Sequence, residues 1–259
     1  EVAVNYNRDV EAFPILRNIL RRIMPDGGDL YRSPTDMGVN RAASGIIDDA
    51  VVRAAAVQEV IRRFFRHDWE HKRGLCSREV VERCEQLMAQ LGVGPSDRPV
   101  VEPARRAALE GEQKQKGNEG FYCGAAVQLA DGTILTGKNS PLLHSASAAI
   151  LNAIKYLAGI PDCIHLLPEA VVQSVTQLKS AYLGSHSPSL NVQEVLVALG
   201  ISAVLNPAAK LGVEALPRLR GAQMHLTHEP GQGDEYGLRK LGIDMTTDAR
   251  PTATGYFLR

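Results

Sequence analysis

Phe121-Tyr122-Cys123-Gly124-Ala125-Ala126-Val127-Gln128-Leu129, Ala130-Asp131-Gly132 and Thr133-Ile134-Leu135-Thr136-Gly137 form the stretch on which the rest of the chain is organised. Two apolar, β-branched or aromatic runs joined by Asp-Gly read as a hairpin, because that dipeptide accepts the tight backbone of a two-strand turn. Lys138-Asn139-Ser140-Pro141 follows. Here Ser140 is expected to cap a helix whose first position is Pro141, where the missing N–H leaves nothing unpaired. Leu143, Ser147, Ile150, Ile154 and Leu157 would share one face of that helix. A helix start beside a lysine and several hydroxyls suits an anion, and it equally suits a well-capped core helix.

Upstream, positions 15, 16, 19, 20 and 23 are apolar at helical spacing and Pro25 to Gly28 end the run. Leu30 to Asn40 is a polar loop carrying Arg32, Ser33, Thr35, Asp36 and Asn40. Asp48-Asp49 would open a long helix ending at Gly74, and Ser77 a second one ending at Gly92. The turn formers between Gly92 and Pro99 mark the expected boundary between a mainly helical segment, 1–97, and an α/β domain, 98–259. Downstream, Cys163 to Leu167 reads as a buried strand. Helices follow from Pro168 to Leu183, from Asn191 to Leu205 and from Asn206-Pro207 to about Arg220. Gln223 to Thr227 is another strand, Asp234 to Leu241 a short helix, and Ile243 to Thr246 an edge strand. The fold class is therefore α/β, with a mixed sheet covered by helices on both faces.

The 259 residues include 29 basic and 29 acidic side chains, so the broad positive surface of a nucleic-acid binder is absent. The longest apolar run, Val195 to Leu205, contains Gly200 and is too short to span a bilayer. Four cysteines without a CxxC pair suggest reduced thiols in a cytoplasmic protein.

Three motifs bear on chemistry. His67-Asp68-Trp69-Glu70-His71 fits H-x-x-E-H, in which two histidines four apart on a helix hold zinc and the glutamate polarises water. Arg62, Arg63, Arg66, Lys72 and Arg73 oppose a cation there and no downstream acidic ligand is identifiable, so the expectation is no metal and no cofactor. The hairpin and helix resemble the start of a cytidine-deaminase domain, whose helix opens with a zinc ligand, one residue and a catalytic glutamate. His144-Ser145-Ala146 has alanine in the glutamate position and the paired cysteines are missing, which favours the fold and argues against the reaction. Thr227, His228, Asp234 and Glu235 flank the glycine-rich loop after the strand at 223–227, where α/β sheets bind ligands.

Asn5 to Glu11, Ser33 to Asn40, Gly137 to Leu142, Ile164 to Pro168 and Thr227-His228 together resemble the bacterial family catalogued as domain of unknown function 1846, or uncharacterised protein family 0371. That resemblance implies a C-terminal portion whose absent N-terminal half looks nucleotide-binding. It draws attention to Ser33–Asn40 and Lys138–His144 as functional surfaces.

The resulting expectation is part of an enzyme that binds a small anionic metabolite, phosphorylated or nucleotide-like. Arg32, Ser33, Thr35, Asp36, Asn40, Lys138, Asn139, Ser140, Thr227, Asp234 and Glu235 would form its binding surface, with His144 and His228 as acid or base. The alternative is a non-catalytic, deaminase-like scaffold that forms a homo-oligomer through the helix at 195–205. Neither reading involves nucleic acid or membrane.

Overall fold

The computed structural model describes residues 49–183 and 187–251. Of these, 49–64 and 77–97 belong to one compact unit, and 65–76 and 98–251 to another. The expected helix at 15–23 and the loop residues Arg32, Ser33, Thr35, Asp36 and Asn40 lie outside the described residues.

The first unit holds the opening turns of α1 (Asp49–Lys72) and all of α2 (Arg78–Leu91). Val60, Ile61, Val81 and Met88 supply its buried side chains, at helical spacing in both elements. Ser77 precedes α2 in extended conformation and Gly92 ends it, both as the sequence indicates.

In the second unit, α3 (Val101–Gln113) precedes the hairpin of β1 (Gly124–Gln128) and β2 (Ile134–Lys138). The turn falls at Asp131-Gly132: Gly132 has φ +85, and Asp131 accepts from the Thr133 amide at 2.9 Å. Next come α4 (Ser145–Ala158), α5 (Glu169–Tyr182), α6 (Val192–Ser202) and α7 (Pro207–Ala215). The chain then forms β3 (Gln223–Leu226), α8 (Gln232–Lys240) and β4 (Asp244–Thr247). The sheet order is β2-β1-β3-β4, with β1 antiparallel to both neighbours and β3 parallel to β4.

Alternation along β1 divides the core. Ala126 packs with Val100 and Ala104 on the α3 side, while Ala125 and Val127 join Ala149, Ile150, Ala153 and Ile154 of α4 in the main core. Two glycines bring the helices in closely. A Cβ on Gly124 would lie 2.1 Å from the Ala104 carbonyl oxygen, and one on Gly137 would lie 2.2 Å from the Ala149 nitrogen.

The α3 side of β3 and β4 is polar although buried. Arg98, fully buried, donates to Thr246 Oγ1 at 3.1 Å, Gln223 Oε1 at 2.6 Å and the Asp244 carbonyl at 3.2 Å. Arg105 grips Asp248 through two nitrogens, at 2.7 and 3.1 Å. His225 bonds Thr246 Oγ1 at 2.9 Å, and its Nε2 lies 3.5 Å from Asp248. Burial alone would push the Asp248 carboxyl up, but His225 and Arg105 overrule it and hold that carboxyl far below the usual carboxylate range. Burial depresses the His225 imidazole, despite the opposing pull of Asp248.

Two expectations are corrected. Cys163 to Leu167 is not a strand: Cys163 and Ile164 are exposed, Leu166 is buried in the core with Leu167 partly buried against it, and Asn206 holds the His165 carbonyl at 3.2 Å. The six residues between Pro161 and Pro168 pair with no strand of the sheet, so the apolar run signals the anchoring side chains Leu166 and Leu167. The helix after the hairpin starts at Ser145, with His144 as its N-cap, and not at Ser140. Leu190 is the cause. It donates to the Leu142 carbonyl at 2.8 Å and accepts from the His144 amide at 3.0 Å, drawing residues 142–144 into an extended bridge that delays the helix.

Candidate functional site

β2 and β3 end at the same margin of the sheet where β1 begins, because β1 runs against both. The helices that follow them, α4 and α8, therefore start beside one another. Between them lies a cavity of about 300 Å³, near the lower end of the range for small-molecule sites. His144, Ser145, Ala146, Gly231 and Asp234 line it from the two helix starts, and Cys123, Asn139, His228 and Glu229 from the strand ends. Neither His144 nor Gly231 caps its helix through a side chain, so the first-turn amides receive no capping oxygen from those residues.

The closest pairing in the cavity is between His144 Nδ1 and Asp234 Oδ2, at 2.6 Å. Asp234 is 3% exposed. Its other oxygen accepts from the Val192 amide at 2.8 Å, so the carboxylate is fixed from both sides. The imidazole, about a third exposed, is positioned by a buried acid through Nδ1 while Nε2 carries no hydrogen bond among the described residues. An Asp-His pair of this kind fixes the orientation of the ring.

His228 is held by Thr227, whose Oγ1 lies 3.0 Å from His228 Nδ1 and accepts from the Gly124 amide at 2.9 Å. Burial, aided by Arg250, lowers the His228 pKa, so its ring is neutral at neutral pH. Glu229, 4% exposed, has both carboxylate oxygens buried without a hydrogen bond, and Arg73 Nε is 3.5 Å from one of them. Burial and the charge of Asp234 push the Cys123 thiol up to about 12, which removes it as a nucleophile.

The other sequence-selected residues divide clearly. Lys138 is engaged by Glu110 at 2.6 Å and does not line the cavity. Asn139 lines it, but its amide is committed to the hairpin's own backbone, accepting from the Cys123 amide at 2.8 Å and donating to the Phe121 carbonyl at 3.0 Å. Ser140 accepts from the Leu142 and Leu143 amides and serves its own turn. Glu235 pairs with Arg239 on the outer side of α8. Sequence reasoning missed Glu229, Asn118, Glu119, Ser187 and Ser189, which reach the cavity from loops without periodicity. For Glu229 a signal was available: an acidic residue beside a histidine, just before Pro-Gly at a strand end. Among the described residues, the cavity's histidines and carboxylates do not gather three donors around one point, as a metal site would require.

Two family models match the chain. The family model described as Domain of unknown function DUF1846, C-terminal, matches residues 96–256, and that described as Domain of unknown function DUF1846, N-terminal, matches residues 1–92. A UPF0371 protein of Clostridium tetani (strain Massachusetts / E88) is 45% identical over 258 residues, 99% of this chain and 51% of its own length. A UPF0371 protein of Clostridium botulinum (strain Alaska E43 / Type E3) is 43% identical over 259 residues, again 99% of this chain and 51% of its own. One of Clostridioides difficile (strain 630) is 44% identical over 249 residues, 96% of this chain and 49% of its own. The chain spans about half the length of these curated relatives. With matched models across both parts and close identity along nearly all its residues, the chain belongs to the DUF1846 family, UPF0371.

Proposed function

We propose that the cavity between α4 and α8 is the active site of an enzyme acting on a small polar metabolite with an anionic group, phosphorylated or nucleotide-like, and that His144 is its general acid–base. The 2.6 Å bond from Asp234 to His144 carries this reading, since it leaves Nε2 to exchange a proton with a bound molecule. The anionic group is held by the first-turn amides of α4 and not by Lys138, which Glu110 neutralises. Glu229 supplies a carboxylate for N–H donors on the same ligand. The hairpin–helix frame resembles a cytidine-deaminase domain, and Ala146 in the position of the proton-shuttling glutamate points to acid–base work without that family's zinc chemistry. Four cysteines without a disulfide support a cytoplasmic setting.

A thermal-shift screen with inorganic phosphate and nucleoside mono- and diphosphates tests this. The expected result is a rise in melting temperature that Lys138→Ala retains and His144→Gln loses. Equal shifts in wild type and His144→Gln, or none in either, would overturn it.

A second reading rests on α6, whose outer side carries exposed Val197 and Ile201 and runs on to Val204 and Leu205, the latter 92% exposed. Such a stripe suits a scaffold that self-associates. Sedimentation at graded concentrations separates the two: a dimer abolished by Ile201→Lys, with no ligand response, favours the scaffold.

A further inference from the structure

The end of α1 carries a second cluster, remote in sequence from the cavity-lining residues. Helical spacing sets His67 and Glu70 on the same side, with Nδ1 and Oε2 3.0 Å apart. Past Lys72 the chain reverses at Gly74, where φ is +73. The Gly74 amide bonds the His71 carbonyl and the Leu75 amide bonds the Glu70 carbonyl, both at 2.8 Å, the paired closure that ends a helix and sends its chain back. That return lays Cys76 over the last turns. Its thiol donates to the His67 carbonyl at 3.4 Å, and its own carbonyl bonds His71 Nδ1 at 3.2 Å. One donor atom from each of His67, Glu70 and Cys76 then lies within 4.8 Å of the others, and all three side chains are partly buried.

We propose that His67, Glu70 and Cys76 bind one zinc ion, with water as the fourth ligand. Tetrahedral zinc with bonds of about 2.0–2.3 Å places its donors roughly 3.3–3.8 Å apart, so small side-chain rotations convert the observed cluster into a site. A thiolate, an imidazole and a single carboxylate select zinc over magnesium or calcium, which need several oxygens. The positive charge that opposes a cation in the bare sequence is largely engaged. Lys72 pairs with Asp68 at 3.1 Å, Arg62 and Arg63 pair with Glu59, and Arg73 lies over the Trp69 ring and beside Glu229. The arrangement also reassigns the H-x-x-E-H pattern. His71 positions the carbonyl of the returning chain, Glu70 is a ligand in place of a base, and Cys76 is the third donor. Binding replaces the thiol proton with metal and releases that proton to solvent.

The test is titration of the whole chain with cobalt(II), followed by zinc in competition with a chromophoric chelator. Expected are one equivalent, a near-ultraviolet thiolate-to-cobalt band, and proton release on binding. Cys76→Ser should abolish the band, and His67→Asn and Glu70→Gln should each weaken zinc binding by at least about tenfold. Cys163→Ser should retain both band and affinity, and His71→Ala should weaken binding less than any ligand variant. Circular dichroism and Trp69 fluorescence check that each variant folds. Absence of stoichiometric metal, a band that survives Cys76→Ser, or one lost in folded Cys163→Ser would overturn the assignment.

Discussion

Replacing Gly137 with alanine tests the packing that creates the cavity. The added Cβ would lie 2.2 Å from the Ala149 nitrogen, 2.4 Å from the Ser145 carbonyl oxygen and 2.8 Å from the Ala149 Cα. Ordinary contact is about 3.5 Å or more, so sheet and helix must separate by roughly 1 Å. The obstruction is backbone, and no rotamer change relieves it. A separation of that size loosens Ala149, Ile150, Ala153 and Ile154 against Ala125 and Val127. Overpacking costs typically about 1–3 kcal/mol, and a rigid backbone obstacle puts this site at the upper end, near 3 kcal/mol. At 1.4 kcal/mol per decade that is about a hundredfold in the folding constant. With a urea slope of about 1–3 kcal/mol/M, the midpoint followed by Trp69 fluorescence should fall by roughly 1–3 M. Gly200→Ala is the internal control: it is in the interior of α6, a Cβ there meets nothing within 4 Å, and the exchange should stabilise by about 0.5–1 kcal/mol. A Gly137→Ala midpoint equal to or above that of wild type would refute the close-approach argument.

Three further outcomes follow from buried polar groups. Acid should destabilise the fold in two steps, one below the ordinary 6.5 of histidine as neutral, buried His225 is forced to charge, and one below the ordinary 3.8 of aspartate as Asp248 is protonated. Asp248→Asn should flatten the lower limb in chemical denaturation at graded pH; an unchanged limb would remove Asp248 from the account. Arg98→Lys cannot reach Thr246, Gln223 and the Asp244 carbonyl together, so it should cost on the order of 2–4 kcal/mol in urea unfolding. Asn139→Ala leaves the Cys123 amide and the Phe121 carbonyl unpaired and should cost about 1–3 kcal/mol, a loss that isosteric Asn139→Asp does not fully repair because it cannot donate to Phe121.

Much of both units was readable from local patterns. The Asp131-Gly132 turn and the Asn191 helix start follow from a side chain accepting from neighbouring backbone amides, the Gly92 stop follows from a left-handed φ that glycine adopts freely, and the Ser77 start and the edge strand β4 fall where the residue pattern puts them. Misreadings arose where a partner distant in sequence intervened. Leu190 delays α4 by pairing with residues 142–144, and Glu110 occupies Lys138. His144, Asp234 and His228 could be chosen from helix starts and strand ends, but nothing local joins His144 to an acid 90 residues away. Glu229 and the loop serines carry no periodic signature at all.

Asp234 serves two masters with one carboxylate, since the oxygen that does not face the imidazole fastens the first amide of α6. Any substitution at 234 therefore disturbs ring orientation and helix anchorage together, and lost activity there would not by itself identify a proton-transfer role. Val192→Pro read against Val192→Ala offers the separation: both trim the same fully buried side chain, but only proline, at a first-turn position where it suits a helix, also deletes the amide donor while His144 and Asp234 keep their own side chains.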